Sequence, residues 1–595
     1  MQHSGGVLLV KQFHQACTDF DPKDKQQIKA LALVLGTLTK SLAQTETVRQ
    51  VRAEAGQHAS LWPDLRKLWR DVARLQLSFW DNDDSDEDEE EEEEKRPTKP
   101  TEDNVLRTLC FNLATFTRNL VAGVPHNQKQ AFENEPDIRR LLHFYTSWSA
   151  MEDPESIATA RVLTQALSNT VTANDSLVSS LWETYVNLPE DQVVIIRLLG
   201  SPDARTLLTT LVFILNCIHG SRSRLQKLVT TKVGNRICIS LLDNMVKFHE
   251  AEEGTEGAKS FDLGYAIFTQ VIEAGSAPDL YRKFNVPNEI ITPHQTTLLK
   301  LMDSYLQSNQ VDMATDRLPE ILKIHESFGT FLAKRFFTLS ANAQDSVRAS
   351  LGLSLSPKNG HGSNDTNKGS PESILSPNVN SPDSSTSSSF LNPPSELDVM
   401  LPKVCEALVL VTQCIVTICL EAEEVQIRVN NGVTKLDGFI NLKSYFIQKQ
   451  YHEQGIVESL IELLRLLDLF LPRINFGKPI GPDGKPLETS APHLQKSGNS
   501  GFAYLKRDLV RLLGVLAHGA KPVQDRARDA GGIPVVMNMC VVDERNPYLR
   551  EHAIFTLHNL LKNNPENQQV VNSFQPSQEW DEDGVLRRKL GAVLK

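Results

Sequence analysis

Apolar residues along this chain recur at helical spacing. Leu505, Leu509, Leu512, Leu513, Leu516 and Ala517 fall at i, i+4, i+7, i+8, i+11 and i+12, one stripe of a 3.6-residue helix. Leu549, Ala553, Leu557 and Leu560 form a second stripe farther on. Ile456 to Phe470 is apolar on nearly every side apart from Glu458, Glu462, Arg465 and Asp468, which predicts a helix packed between neighbours. The most apolar run, Val404 to Leu420, carries Glu406 and Gln413 and is shorter than the roughly 20 residues of a bilayer span, so a buried core helix is expected there. Val7 to Val10 follows Gly5 and Gly6 without the charged start and cleavage site of a signal peptide, and is expected to open a helix.

These helices repeat as a unit. Asn119, Leu120 and Val121 precede Pro125 and the run His126 to Gln130; Asn559, Leu560 and Leu561 stand at the same offset from Pro565 and lead into Glu566 to Gln569. The same helix, short break and new helix align at Asn169 with Asp175 and at Asn216 with Arg222, and Leu516 with Pro522 fits without the asparagine. The spacings are 169 − 119 = 50, 216 − 169 = 47 and 559 − 516 = 43, close to the roughly 40–47 residues of armadillo and HEAT repeats. In the clearest unit, Asp529 to Pro534 ends one helix and begins the next. Gly531 and Gly532 suit a left-handed helix end, and Pro534 suits a first helical turn. Asn546 and Pro547 open the following helix, which runs through Asn559.

At 595 residues the chain exceeds one compact core, which fits a repetitive array. Its formal charge of −12 is local: residues 81–94 hold twelve Asp and Glu, and the remainder is close to neutral. No broad basic field is left for nucleic acid or an anionic membrane surface. The acidic run, through Pro97 and Pro100, and the Ser, Asn, Pro and Gly-rich stretch near 354–396 are expected to be disordered. The expected architecture is all-α, an armadillo/HEAT-like right-handed helical solenoid with disordered insertions. It comprises an N-terminal array over 1–352 with an acidic loop at 81–100, a linker over 353–397, and a C-terminal array over 398–575. No sheet of three or more strands is expected.

The residues from about Gly455 to Val571, including Gly455 to Asp468, the Asp529 to Pro534 turn and the Asn546 to Gln569 unit, resemble the ataxin-10 domain, particularly of fungal members. The resemblance implies a cytoplasmic, non-catalytic armadillo-like protein that acts in cell division, especially cytokinesis, through contacts with other proteins. Regulation of a small GTPase through the same surface is the alternative. A third, copper homeostasis, follows from the copper-transport label some fungal relatives carry.

Candidate chemistry narrows this little. Copper handling needs converging soft ligands, yet the eight cysteines show no paired spacing and fit a reducing compartment. Cys405, Cys414 and Cys419 are turned away from one another on their helix. No metal or cofactor is expected. Gly484 and Lys485 are followed by Pro486, and Pro479 stands where a phosphate-binding loop needs glycine, so Gly477 to Gly501 reads as a long loop. His552 and His558 lie on different helix faces, and no catalytic group is nominated. The repeated asparagines could clamp a peptide, but no tryptophan stands four residues before an asparagine; packing and helix-end hydrogen bonding are the expected roles. Gly531, Gly532, Pro534 and Asn559 are therefore expected to be structural junction residues. Ser85, followed by acidic residues, and the Ser-Pro serines Ser356, Ser370, Ser376 and Ser381 are candidates for phosphorylation. The expected partners are proteins, a second copy among them, with neither nucleic acid nor membrane insertion.

Overall fold

A computed structural model describes residues 5–43, 48–78, 100–309, 318–353, 398–432, 440–480, 486, 502, 504–574, 578–580 and 586–588. Helices dominate, and the strands among the described residues form three two-stranded antiparallel hairpins. The chain divides into two compact units, Met1–Pro287 with Thr292–Leu301, and Asn288–Ile291 with Met302–Lys595.

In the first unit long helices pack side by side in the order α1 (Lys25–Ser41), α2 (Pro100–Val121), α3 (Pro154–Val171), α4 (Ala204–Ile218) and α5 (Glu256–Glu273). Shorter helices connect them, giving the short–long–long rhythm of an armadillo repeat. The turn that leaves a long helix needs one residue in the left-handed region, supplied by Gly123, Ala173 and Gly220 here and by Gly519 and Asn563 in the second unit. Asparagine amides near the same helix ends tie each long helix to its predecessor. Asn119 Nδ2 donates to Thr39 O at 3.3 Å, Asn169 Nδ2 to Arg118 O at 3.1 Å, and Asn216 Nδ2 to Ser168 Oγ and Thr172 Oγ1 at 3.1 and 3.2 Å.

The second unit repeats the scheme. Beside the 33-residue helix Leu318–Ser350, its helices include α6 (Leu401–Asn430), α7 (Ile456–Phe470) and α8 (Leu505–Ala517); then come α9 (Lys521–Asp529), α10 (Gly532–Met539), α11 (Leu549–Leu561) and α12 (Pro565–Ser573). α6, α8 and α11 pack in a row. Asn559 is buried, and its Nδ2 donates to Gly514 O at 3.0 Å. Gln524 of α9 donates to Asn559 O at 2.9 Å and accepts from Asn564 Nδ2 at 3.1 Å. In the first unit Gln128 does the same with Asn169 O at 2.9 Å and Asn174 Nδ2 at 3.4 Å. The repeated asparagines are therefore structural.

Two sequence expectations need correction. The compact units part near 287–302, not at the 353–397 linker, because Leu318–Ser350 packs with α6 and α7. Ser340 Oγ lies 2.8 Å from Ser459 Oγ, and Arg348 Nη2 lies 2.8 Å from Glu462 Oε1. The apolar run at Val404 also belongs to a 30-residue helix, long and apolar enough to cross a membrane, so length does not argue against a span. Sixteen of its residues are nevertheless buried, most of them against neighbouring helices, as a core helix requires.

Asn559→Ala removes a buried hydrogen bond while Gly514 O keeps its bond from His518 N, so a loss of about 1–2 kcal/mol is expected. Lys562→Ala, an exposed side chain, should change stability by less than about 0.5 kcal/mol. Urea unfolding midpoints of the two variants check this.

Candidate interaction surface

The site builds from the starts of α8 and α11. In the first unit the long helices begin on side-chain caps: Asp153 for α3, Asp203 for α4 and Thr255 for α5. α8 and α11 begin instead on Tyr504 and Tyr548, both in the left-handed region at φ 65°, with no side-chain cap. The local hydrogen bonds match. Leu505 N donates to Phe502 O and Asp508 N to Tyr504 O, while Leu549 N donates to Asn546 O and His552 N to Tyr548 O. A bulky residue at positive φ costs on the order of 1–3 kcal/mol and needs its surroundings to enforce it. For α8 that support includes buried Lys506, whose Nζ reaches Asp468 Oδ1 at 3.1 Å and Leu471 O at 2.7 Å. For α11, Asn546 is fixed by Asp543 Oδ2 at 2.6 Å. Both tyrosines nonetheless face solvent, at 46% and 67% exposure.

Charge surrounds them. The Arg507 guanidinium lies 4.2 Å from the Tyr504 ring centroid and donates to Asp508 Oδ1 and Oδ2 at 2.7 and 3.0 Å. Asp508 is 1% exposed and also accepts from Gln413 Nε2 of α6 at 2.9 Å. Arg511 follows one turn later. Asp303, in the second unit, is 9% exposed; its Oδ2 accepts from Gln307 and its Oδ1 has no hydrogen-bond partner. Burial pushes its carboxyl up to about 6, against a smaller lowering by Gln307; the neighbouring Asp508 raises it and Arg511 lowers it. His552 is held below the ordinary histidine range by burial and then by Arg511 and Arg507.

A third aromatic is presented in the same way. A hairpin pairs Ile474–Asn475 with Lys478–Pro479, and its tip residues Phe476 and Gly477 have φ 49° and 68°. The Glu544 carboxylate accepts from Phe476 N at 2.8 Å and Gly477 N at 3.0 Å, leaving Phe476 90% exposed. Val541 and Val542, also exposed, lie just before this acidic grip in sequence.

Among the sequence-predicted residues, Gly531 takes the left-handed conformation at φ 71°. Gly532 does not: it starts α10 and is required by close packing, since a Cβ there would stand 2.7 Å from Ile461 Cδ1 and 2.9 Å from Ala527 O. Pro534 sits in the first turn of α10, and Asn559 makes the bonds described above. Ser85, Ser356, Ser370, Ser376 and Ser381 lie outside the described residues. Sequence reasoning missed Tyr504, Tyr548 and Phe476. A signal was present for two of them, because Tyr504-Leu505-Lys506 and Tyr548-Leu549-Arg550 repeat a Tyr-Leu-basic triplet 548 − 504 = 44 residues apart, near the repeat period.

All the cysteines but half-buried Cys540 are buried, burial pushes the Cys405 and Cys419 thiols up to about 12, and no cluster of three or more His, Cys, Asp or Glu suited to a metal occurs among the described residues.

Fold and surface thus define an armadillo-type α-helical repeat protein. Residues 505–593 match the family described as the spinocerebellar ataxia type 10 protein domain, so the match begins later and runs farther than the stretch near 455–571 expected from sequence. The Ataxin-10 homolog of Debaryomyces hansenii is 28% identical over 156 residues, 26% of this chain and 30% of the relative. The Ataxin-10 homolog of Dictyostelium discoideum is 38% identical over 80 residues, 13% of each chain, and Ataxin-10 of Bos taurus is 27% identical over 142, 23% of this chain and 27% of the relative. The C-terminal part of the chain is thus similar to the ataxin-10 family, and the aligned stretches span less than a third of these relatives' length. A solved structure titled as SYS-1 is 12% identical and covers 95% of this chain and 94% of its own, with a TM-score of 0.31. An engineered protein is 11% identical with the same TM-score, covering 93% and 98%. Scores this low carry no argument, and the repeat assignment rests on the helix order and hydrogen-bond ladder.

Asp303 gives a signed pH expectation. Its folded value near 6 exceeds an unfolded value near 3.8, so the folded state binds more protons between those limits, and stability falls as pH rises from about 4 to 6. Asp303→Asn should flatten that part of the profile and raise stability at pH 7 by on the order of 2 kcal/mol. Denaturant midpoints of both chains at pH 4.5, 5.5 and 7 test it; parallel profiles would refute it.

Proposed function

We propose that this chain is a non-catalytic scaffold that binds other proteins through its second unit and acts in cell division, particularly cytokinesis, from the cytoplasm. The ataxin-10 family and a helical-repeat fold suit a protein-interaction role and are typical of non-enzymatic scaffolds. The observation that carries the reading is the conformation of Tyr504, Tyr548 and Phe476. Each is a large aromatic held at positive φ and left facing solvent. Folding gains little from rings as exposed as Tyr548 and Phe476, and glycine would serve each of the three backbones better, so the strain is best accounted for by what the rings contact outside the chain. Aromatic anchors of low side-chain entropy are what protein interfaces favour.

Replacing Tyr548 with Gly separates this reading from a purely structural one. Relief of the left-handed strain should leave thermal stability unchanged or raise it by about 1 kcal/mol. Recovery of co-purifying proteins from dividing cells should fall, with delayed septation, and Tyr504→Gly should behave alike. Lower stability together with undiminished partner recovery would show that the rings serve the fold alone.

A further inference from the structure

We infer that the paired starts of α8 and α11 bind an extended acidic peptide of a partner protein, Tyr504 and Tyr548 stacking on two of its side chains while Arg507 and Arg511 meet its carboxylates. This deepens the scaffold reading and rests on it.

The geometry begins with register. Thr556 Oγ1 donates to Val510 O at 2.9 Å and Asn559 Nδ2 to Gly514 O at 3.0 Å, while a Cβ on Gly514 would stand 3.2 Å from Thr556 Cα, so α8 and α11 run in the same direction with Thr556 set between Val510 and Gly514, offsets of 556 − 510 = 46 and 556 − 514 = 42. Tyr504 and Tyr548, each at a helix start, are 548 − 504 = 44 residues apart, between those two offsets, which sets the two helix starts side by side. Adjacent helices lie about 8–10 Å apart, and an extended chain in the polyproline II conformation advances about 3.1 Å per residue and returns a side chain to the same face every third residue. Residues three apart on the peptide match the two rings. A helical ligand would cover the same span in about six residues at 1.5 Å each and turn its side chains off the rings.

The sign of charge comes from depth. Asp508 and Asp303 are the buried carboxylates of the site, at 1% and 9% exposure, whereas Arg507 and Arg511 are half-buried and nearer solvent. His552, half-buried on α11, feels those two guanidiniums more strongly than it feels Asp508 or Glu551. A ligand thus meets cations backed by anions. The α11 face adds exposed Arg550 and Glu551, which offset each other. Two guanidiniums, one already bound to Asp508, are too few for the multiple phosphate contacts that hold a nucleic-acid backbone.

The test uses the full chain and fluorescent ten-residue peptides: a glutamate-rich peptide with two tyrosines three apart, its lysine-for-glutamate counterpart, and a version with the second tyrosine moved by one residue. A single-stranded thymidine oligonucleotide is the fourth probe. Fluorescence anisotropy should show the acidic peptide binding at least about ten-fold tighter than the lysine peptide, and weakening several-fold when the tyrosine moves. Arg511→Glu should reverse the preference and Arg511→Gln should abolish it, each checked for an unchanged circular dichroism spectrum. Equal affinity for both peptides, tighter binding of the oligonucleotide, or an unchanged preference in folded Arg511→Glu would overturn the assignment. Loss of cellular partners in Tyr548→Gly alongside any of those results would leave the scaffold standing and discard only its acidic ligand. Undiminished partners alongside the expected peptide preference would discard the scaffold reading and keep the peptide site.

Discussion

An asparagine amide near the end of a long helix, at Asn119, Asn169, Asn216 and Asn559, is the contact on which the register of the repeat arrays depends. Helix ends leave carbonyls without partners, and stacking one helix against the next buries those ends where water cannot serve them. Asn119, Asn169 and Asn559 donate into backbone carbonyls of the preceding long helix, while Gln128 and Gln524 close the gap from the following short helix. The bond adds a second donor to an end carbonyl and fixes the register between neighbours. Apolar burial supplies most of the stabilisation but is indifferent to sliding by a turn; the amides are not.

With register fixed, successive helix starts can be used differently. Where Asp153, Asp203 and Thr255 cap their helices, the start is a local solution to unsatisfied N–H groups. Tyr504 and Tyr548 forgo that solution and accept a strained backbone, which buried Lys506 and the Asp543–Asn546 pair help to hold in place. The Phe476 hairpin shows the same division of labour, since Glu544 grips the turn so that its ring need not. Rigid support and an exposed ring are the two requirements of a contact residue that loses little freedom on binding.

Much of the fold was legible in sequence because helical periodicity and the Asn-to-Pro offset are local signals. The stripe from Leu505 to Ala517 is buried throughout, and Gly531 takes its left-handed turn. What escaped was not local. Nothing beside Gly532 in sequence shows that Ile461 fills the space its Cβ would need, and nothing near Ser340 shows that Leu318–Ser350 packs with a helix more than a hundred residues later. The interaction surface was least legible. A tyrosine before an amphipathic helix reads as an ordinary boundary residue until its φ and exposure are known, although the Tyr-Leu-basic triplet at repeat spacing carried part of the message.

The buried cysteines have a use unrelated to metal or catalysis. Cys110, Cys217 and Cys238 sit inside the first unit, and Cys405, Cys414 and Cys419 inside the second, all closed to reagents in the native state. An alkylating agent can reach them only when the surrounding helices part, so the rate at which each is modified times the opening of its own neighbourhood. The chain thereby carries intrinsic reporters in both arrays, and mass-resolved labelling would read the breathing of one array separately from that of the other.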